Sequence, residues 1–154
     1  NMRLDETDLK ILRLLQDNGR LSNQELADLV ALSPSSCHRR VKILEQEGLI
    51  ENYSANLSAS KLGFAIEAFV EVNIAQLNES EHQYLSKALA TMDEVLHAYI
   101  VTGQANYMLH IRTRNFETFS NFVIHKLNTL RGVTKIHSQI VLSCIKAKGQ
   151  RLPV

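Results

Sequence analysis

The side chains in this sequence that are best suited to binding chemistry are basic and hydroxyl groups between residues 33 and 42. At about 100° per residue along a helix, Cys37, Val41 and Leu44 share one face, and polar groups occupy the opposite face. Arginine can donate two hydrogen bonds to guanine, a serine hydroxyl can donate or accept, and lysine neutralises phosphate without reading sequence. The pattern predicts a DNA-binding helix whose contact residues are Ser33, Ser35, Ser36, His38, Arg39 and Lys42.

Two helix starts frame this segment. Ser22 is followed three residues later by Glu25, which is the spacing of a capping box. Ser33 precedes Pro34, and proline suits the first position of a helix. The turn between the two short helices then runs from Ala31 to Ser33, and the arrangement is typical of a helix-turn-helix. The alternative is an ordinary solvated helix face.

Arg40 projects near the edge of the buried stripe rather than outward. A guanidinium at that position can pair with a carboxylate of the preceding helix. We favour an ion pair with Asp5 or Asp8 over a base contact.

Length and composition are those of an ordinary globular protein with one or two small domains. The chain has 154 residues, of which 45% are hydrophobic and 21% charged. A run of about eighteen apolar residues and a basic-then-apolar leader are both missing, so we expect a cytoplasmic protein that does not span a membrane. Cys37 and Cys144 have no CxxC spacing, and we expect both to be reduced, buried thiols.

The net charge of each half of the chain does not support the DNA prediction, but the charge of the predicted DNA helix does. Residues 1–60 contain seven Lys or Arg against nine Asp or Glu, about −2, whereas residues 61–154 contain ten against seven, about +3. The cations of the first half nevertheless cluster on the predicted DNA helix. The acids Asp5, Glu6 and Asp8 lie instead at the start of another helix, where they favour its dipole.

The first sixty residues predict three helices. Asp5 caps a first helix that ends at Asn18-Gly19, and the helix-turn-helix follows. Gly48 fits a left-handed stop of the DNA helix, and Leu49 to Leu57 indicates short extended structure, either a wing or a linker strand. We place a winged-helix-like domain with its linker strand at residues 2–60.

From Phe64 the apolar pattern changes to the alternation of a half-buried strand. The later patterns predict the order β-α-β-β-α-β, with a turn at residues 103–106 and a long last strand from Val133 to Ile145. The second helix, capped by Asn115, is expected to direct these residues inward: Phe116, Phe119, Val123, Leu127 and Leu130. The fold class is therefore α+β, with a ferredoxin-like domain at residues 61–154.

One face of this predicted sheet carries no helix. An uncovered apolar face that contains Phe69 and its neighbours is usually buried against a second copy. We therefore expect at least a dimer.

A helix-turn-helix joined to a βαββαβ domain resembles the Lrp/AsnC family of transcription regulators over essentially the whole chain. The resemblance rests on LDETDLKILRLLQDNGRLSNQELADLVALSPSSCHRRVKILEQEGLIENYSANL, TGQANYMLHIRTRNFETF and LRGVTKIHSQIVL. The stretch LSPSSCHRRVKILEQEG is nearest the leucine-responsive branch. The resemblance implies a cytoplasmic bacterial or archaeal regulator, a homodimer that assembles into octamers and binds a small amino acid between dimers.

The resemblance also implies an effector site in the second domain. Carried over residue by residue, the site uses Ile100, Thr102, Gly103, Asn106, Tyr107, Phe116, Gln139, Ile140 and Val141. Several of these are apolar, which suits leucine or methionine. The family turn usually reads GxxDY, whereas Asn106 replaces the aspartate here and offers a ligand ammonium only an ordinary hydrogen bond. The alternative is a simple hairpin in which Gly103 supplies a positive φ.

The sequence leaves three possible functions: a sequence-specific regulator, an architectural DNA-binding protein, and an enzyme or metal protein. A sequence-specific regulator would place paired helices in successive major grooves of double-stranded DNA about 34 Å apart, so its operator would be a near-palindrome. An architectural protein would instead compact DNA as an octamer with little sequence preference. An enzyme or metal protein would have to use scattered histidines with no HxxxH or HxH pair, and we expect no enzyme activity, metal or cofactor. Those histidines are His82, His97, His110, His125 and His137.

Overall fold

The computed structural model describes residues 3–75, 78–103, 106–147, 149 and 151–154. The chain divides into two compact units, Asn1–Asn56 with Ala147–Val154, here called the helical unit, and Leu57–Lys146, the sheet unit. This division differs from the expected 2–60 and 61–154 because the end of the chain groups with the helices. Among the described helices, none combines the length and apolar character that a membrane span requires.

Three helices form the helical unit, and each begins at a side-chain cap. They are α1 (Glu6–Asp17), α2 (Asn23–Leu29) and α3 (Pro34–Gln46). Asp5 and Ser22 each start a capping box, in which the cap accepts a backbone bond and the carboxylate three residues on accepts one in return. Ser33 caps α3, so all three predicted helix starts are confirmed.

The core of the helical unit is one apolar cluster to which all three helices contribute. Its buried members are Ile11, Leu26, Ala27, Val30, Cys37 and Leu44. Cys37 and Leu44 belong to the face of α3 that the sequence predicts to be buried. The opposite face of α3 is therefore turned away from this core.

Two residues with positive φ set the path of the chain around α3. Ala31 (φ 57°) lies in the turn before the helix, and Gly48 (φ 74°) lies after its end, as predicted. The structure has no strand between Leu49 and Leu57, so neither the predicted wing nor the predicted linker strand forms within one copy of the chain. A strand needs a hydrogen-bonded neighbour, and no described strand pairs with this segment.

The end of the chain contacts α1, which no sequence pattern indicated. The side-chain amide of Gln16 donates to the Leu152 carbonyl at 2.8 Å and accepts from the Leu152 N–H at 2.6 Å. Arg151 forms an ion pair with Asp17. These contacts join residues far apart in the sequence, where periodicity carries no signal.

The sheet unit is built on one four-stranded antiparallel sheet in the order β2-β3-β1-β4. Its strands are β1 (Ile66–Ile74), β2 (Val95–Ile100), β3 (Tyr107–Thr113) and β4 (Val133–Ile140). Helix α4 (Glu79–Ala90) lies between β1 and β2 in the sequence, and α5 (Phe116–Asn121) lies between β3 and β4. The predicted βαββαβ order is confirmed. The last strand ends at Ile140 rather than at Ile145.

The second helix of the sheet unit departs from the predicted period. After α5 the chain continues as a π-helical turn over Phe122–Leu127, in which a backbone N–H donates five residues back. The wider turn shifts the buried face, so Phe122 is buried together with Phe119 and Leu127. Phe116 is 62% exposed, and the prediction that it lies inward is wrong, because it is the first helical residue and precedes the buried part.

The two faces of the sheet differ in chemistry. The face against the helices is apolar and includes Ala68, Val70, Val72, Leu109 and Ile111, all buried. The opposite face, here called the open face, contains Phe69 but is not the apolar surface that we expected. Strand register places His110 beside Phe69, and Arg112 beside Glu67. Most of the open face is therefore polar.

Both cysteines are free thiols. Cys37 is buried as expected, and burial raises the pKa of its thiol. Cys144 is exposed, which contradicts the expectation of burial, because it lies beyond the end of β4.

Candidate nucleic-acid interface and effector site

The exposed face of α3 is the candidate nucleic-acid interface. Ser35, His38, Arg39 and Lys42 are exposed along it. The Arg39 guanidinium has no hydrogen bond or ion pair with any residue that the structure describes. All its donors are therefore available for the bidentate contact with guanine that arginine makes best.

The three predicted serines lie at the start of α3. Ser33 Oγ accepts from the Ser36 N–H at 3.3 Å and lies 3.3 Å from Ser35 Oγ. Ser33 is thus the helix cap, and Ser35 and Ser36 belong to the first turn. The N-terminal turns of a recognition helix are the part that contacts base edges.

Arg40 points to α1, although it is the neighbour of Arg39. Its Nη1 lies 2.8 Å from Asp5 Oδ2 and 2.9 Å from Asp8 Oδ1. The Asp8 backbone N–H and the Arg40 guanidinium hold the pKa of Asp5 below its usual value. The Asp8 side chain is only 6% exposed, so Arg40 supplies the charge that its carboxylate needs. The predicted ion pair is confirmed, with both acids rather than one.

A second charged group, absent from our sequence predictions, links α3 to the residues that follow it. Glu45 accepts from Lys42 Nζ at 3.2 Å and from the Tyr53 hydroxyl at 3.0 Å. The bond from Lys42 lowers the pKa of Glu45. Burial and the bond to Glu45 raise the pKa of Tyr53 to about 12. The i,i+3 spacing of Lys42 and Glu45 was the available sequence signal, and it favours phosphate contact over base reading for Lys42.

Five of the predicted effector residues lie together where β2 turns into β3: Ile100, Thr102, Gly103, Asn106 and Tyr107. Gly103 has φ 103°, as the turn requires, and Gln104 and Ala105 lie outside the described residues. Asn106 Oδ1 accepts from the Ile74 N–H at 2.7 Å, so this side chain ties the turn to the end of β1. An aspartate could accept the same bond, so the contact with β1 does not by itself require asparagine at this position.

The other predicted effector residues lie far from the β2–β3 turn: Phe116, Gln139, Ile140 and Val141. Strands β2 and β4 are the opposite edges of the sheet. Ile140 of β4 and Ile111 of β3 both pair with Ala68 of β1, so they lie at the same level of the sheet. Ile100 pairs with Tyr107, which is four residues from Ile111 along β3. With strands about 4.8 Å apart and about 3.3 Å per residue, Ile100 and Ile140 are roughly 20 Å apart. One chain does not bring the two groups together.

A cavity of about 320 Å³ opens beside the first group, between α4 and β2. Ile100 and Tyr107 line it, together with His82, whose Nδ1 lies 3.2 Å from the Tyr107 hydroxyl. Tyr107 is 3% exposed, and burial raises its pKa. No sequence pattern indicated that His82 lines a cavity, because its partner Tyr107 is distant in the chain and no spacing links the two. The volume is at the small end for ligand pockets.

Two histidines that look unrelated in the sequence meet on the open face. The Nδ1 atoms of His97 and His110 lie 3.3 Å apart, and the Phe69 ring stacks on His110 at 4.9 Å between centroids. Within the described ranges, no three His, Cys, Asp or Glu side chains are grouped to hold a metal ion. The histidine pair is therefore a feature of the open face rather than a metal centre among these residues.

Comparison with known proteins matches each unit to a domain type. Residues 4–51 match winged helix-turn-helix DNA-binding domains, and residues 67–150 match the Lrp/AsnC ligand binding domain. The leucine-responsive regulatory protein of Rhizobium meliloti is 34% identical over 145 residues, which are 94% of this chain and 93% of that protein. The transcriptional regulator AzlB of Bacillus subtilis is 35% identical over 93% of this chain and 91% of its own length.

Solved structures share the fold over nearly the full length. A transcriptional regulator of Neisseria meningitidis in complex with L-methionine has a TM-score of 0.93 and 38% identity, covering 98% of this chain and 97% of its own. AsnC of E. coli has a TM-score of 0.83 and 27% identity, covering 96% of this chain and all of its own. The ligand-binding match alone spans more than half of the sequence. This chain therefore belongs to the Lrp/AsnC family of DNA-binding transcriptional regulators.

Proposed function

We propose that this chain binds a near-palindromic operator through α3 and changes that binding when it takes up methionine or leucine. It acts on double-stranded DNA in the cytoplasm, as a homodimer that assembles into octamers. The helical unit supplies the DNA contacts, and the sheet unit supplies the amino-acid site.

The observation that carries the DNA part is the contrast between two adjacent arginines. Arg40 is held by Asp5 and Asp8, whereas Arg39 is exposed and has no partner among the described residues. A free guanidinium on an exposed helix face fits the O6 and N7 acceptors of guanine. Two copies would present two such helices to major grooves about 34 Å apart.

Replacement of Arg39 tests this base contact. We expect Arg39→Ala to lose about 1–3 kcal/mol of discrimination between a selected operator and random duplex, measured by fluorescence anisotropy at one salt concentration. Lys10→Ala is the control, because it removes an exposed cation from α1 and leaves α3 unchanged. Unchanged discrimination would exclude Arg39 from base reading. Equal affinity of the wild type for both duplexes would favour the architectural alternative.

The amino-acid part is supported by the surroundings of the β2–β3 turn. The cavity beside Ile100 and Tyr107 is small, and apolar side chains supply much of its lining. The Neisseria meningitidis relative, which was solved with L-methionine, has nearly the same chain fold. The roughly 20 Å between the two groups of effector candidates supports a site that a second protomer completes.

A thermal panel tests the effector. The melting temperature is measured with each of the twenty amino acids at millimolar concentration. A ligand at a hundredfold its dissociation constant adds about 2.7 kcal/mol of stability, so methionine or leucine should raise the melting temperature selectively. A flat panel would contradict the proposed effector and favour a purely structural turn.

A further inference from the structure

The arginine and lysine side chains of α3 differ in how far carboxylates neutralise them. Arg40 is paired with both acids at the start of α1. Lys42 Nζ lies 3.2 Å from Oε2 of Glu45, which is one turn further along the same helix. Among these three cations, only Arg39 has no carboxylate partner within the part of the chain that the structure describes. The uncompensated positive charge of the exposed face of α3 is therefore concentrated at Arg39.

The carboxylate of Glu45 is held in place by a second partner. Its Oε1 accepts from the Tyr53 hydroxyl at 3.0 Å, while Oε2 faces Lys42. The Tyr53 ring lies beside Gly19, where an added Cβ would be 3.5 Å from the ring carbon Cδ1. The Glu45 side chain is 30% exposed, against 54% for Lys42. A movement of Lys42 toward a DNA phosphate would therefore separate it from a carboxylate that stays in place.

A fixed carboxylate opposes the phosphate contact of Lys42 in two ways. It competes with the phosphate for the ammonium group, and its negative charge repels the phosphate. The effect is limited, because an exposed ion pair of this kind changes an equilibrium by no more than about fivefold. Phosphate contacts do not read base sequence, so the opposition acts on every duplex alike.

We propose that Glu45 is a positioning residue that limits sequence-independent DNA binding by holding Lys42 back from the phosphate backbone. The base contact of Arg39 then makes up a larger share of the total affinity for an operator. Tyr53 supports this function by keeping the carboxylate beside Lys42. The inference rests on the contact of α3 with DNA that is proposed above.

Glu45→Gln tests the inference, because it removes the charge and keeps an oxygen that can accept from Tyr53. Affinities of the full chain for a selected operator and for random duplex are measured by fluorescence anisotropy from about 50 to about 200 mM salt. The proteins are the wild type, Glu45→Gln, Lys42→Ala and the double variant. Glu47→Gln is the matched control, because Glu47 is exposed at the end of α3 and forms no ion pair with Lys42.

We expect Glu45→Gln to raise the affinity for both duplexes about two- to fivefold. The slope of log affinity against log salt should become steeper by up to about 0.9, which is the contribution of one phosphate contact. Lys42→Ala should weaken binding more in the Glu45→Gln background than in the wild type, because the two side chains are coupled. Glu47→Gln should leave the salt slope unchanged.

Two outcomes would overturn the inference. Wild-type affinity and salt slope in Glu45→Gln would show that Glu45 does not restrain Lys42. The same gain in the Lys42→Ala background, or in Glu47→Gln, would show that general charge repulsion acts without Lys42. A wild type that binds neither duplex would instead remove the proposed contact of α3 with DNA, which is distinct from a Glu45 variant that binds like the wild type.

Discussion

The helical unit and the sheet unit present their candidate binding residues in opposite ways. The DNA-binding candidates fall within ten consecutive positions of one capped helix, above a core that the same unit completes. The effector candidates come from several elements and form two groups, one at the β2–β3 turn and the other made of Phe116 of α5 with residues at the end of β4. The proposed DNA contacts therefore come from one helix of one chain. The proposed effector site depends instead on how distant strands pair and on a second copy of the chain.

Disruption of the core of the sheet unit should give the largest difference in stability between the two units. Phe122 is 1% exposed, and Phe122→Ala should destabilise the sheet unit by about 3–5 kcal/mol. Chemical denaturation followed by circular dichroism should then show the sheet unit unfolding before the helical unit. The neighbouring Ile124→Ala is the control, because Ile124 is 52% exposed and should change stability by less than about 0.5 kcal/mol. A single transition that shifts as a whole would contradict independent units.

The two adjacent arginines of α3 give the next largest contrast. Arg40→Ala leaves the buried Asp8 carboxylate without its partner and should cost about 2 kcal/mol of stability. Arg39→Ala should cost less than about 0.5 kcal/mol, because the side chain is exposed. Urea denaturation of both variants checks the difference. Equal losses of stability would show that Arg39 also has a structural partner.

The turn residue Asn106 should have a smaller effect. Asn106→Ala removes the acceptor of the Ile74 N–H and should cost about 1 kcal/mol, whereas Asn106→Asp keeps an acceptor and should cost less. Amide hydrogen exchange at Ile74 should accelerate in the alanine variant only. Equal acceleration in both variants would contradict the tie between the turn and β1.

The smallest expected effect concerns Tyr53 and appears only at high pH. Because the folded pKa is raised to about 12 from an ordinary value of 10, the stabilising contribution is complete below pH 10 and disappears as pH rises to about 12. The residue is 50% exposed, so solvent weakens the effect. Tyr53→Phe should remove this part of the alkaline loss of stability of the helical unit. An identical pH profile in the variant would show that groups other than Tyr53 cause the loss of stability at high pH.

Much of the helical unit could be predicted from sequence because its signals are local. Capping at Asp5 and Ser22, the left-handed Gly48 and the buried stripe of α3 all depend on residues within a few positions of each other. Even the Arg40 ion pair followed from the side of the helix on which Arg40 lies. The contact between Gln16 and Leu152 gave no such signal, because it joins the two ends of the chain.

The sheet unit was predictable in order but not in detail. Alternation at β1 and the caps of its helices revealed βαββαβ. The π-helical turn, in which Phe122 and Leu127 are both buried, and the exposure of Phe116 at the first position of α5 were not predicted. The polarity of the open face depends on cross-strand register, which places His110 beside Phe69. The contact of His82 with Tyr107 joins a helix to a strand, so sequence spacing could not reveal it.

In vitro selection of random duplexes, followed by affinity measurement with and without L-methionine or L-leucine, tests most directly whether α3 reads sequence under the control of an amino acid. We expect the selected duplexes to share a near-palindrome with half-sites about 10 base pairs apart. Their affinity for the protein should change at least about fivefold when the amino acid is added. A pool without a common sequence, or an affinity that no amino acid changes, would contradict a sequence-specific regulator with an amino-acid effector.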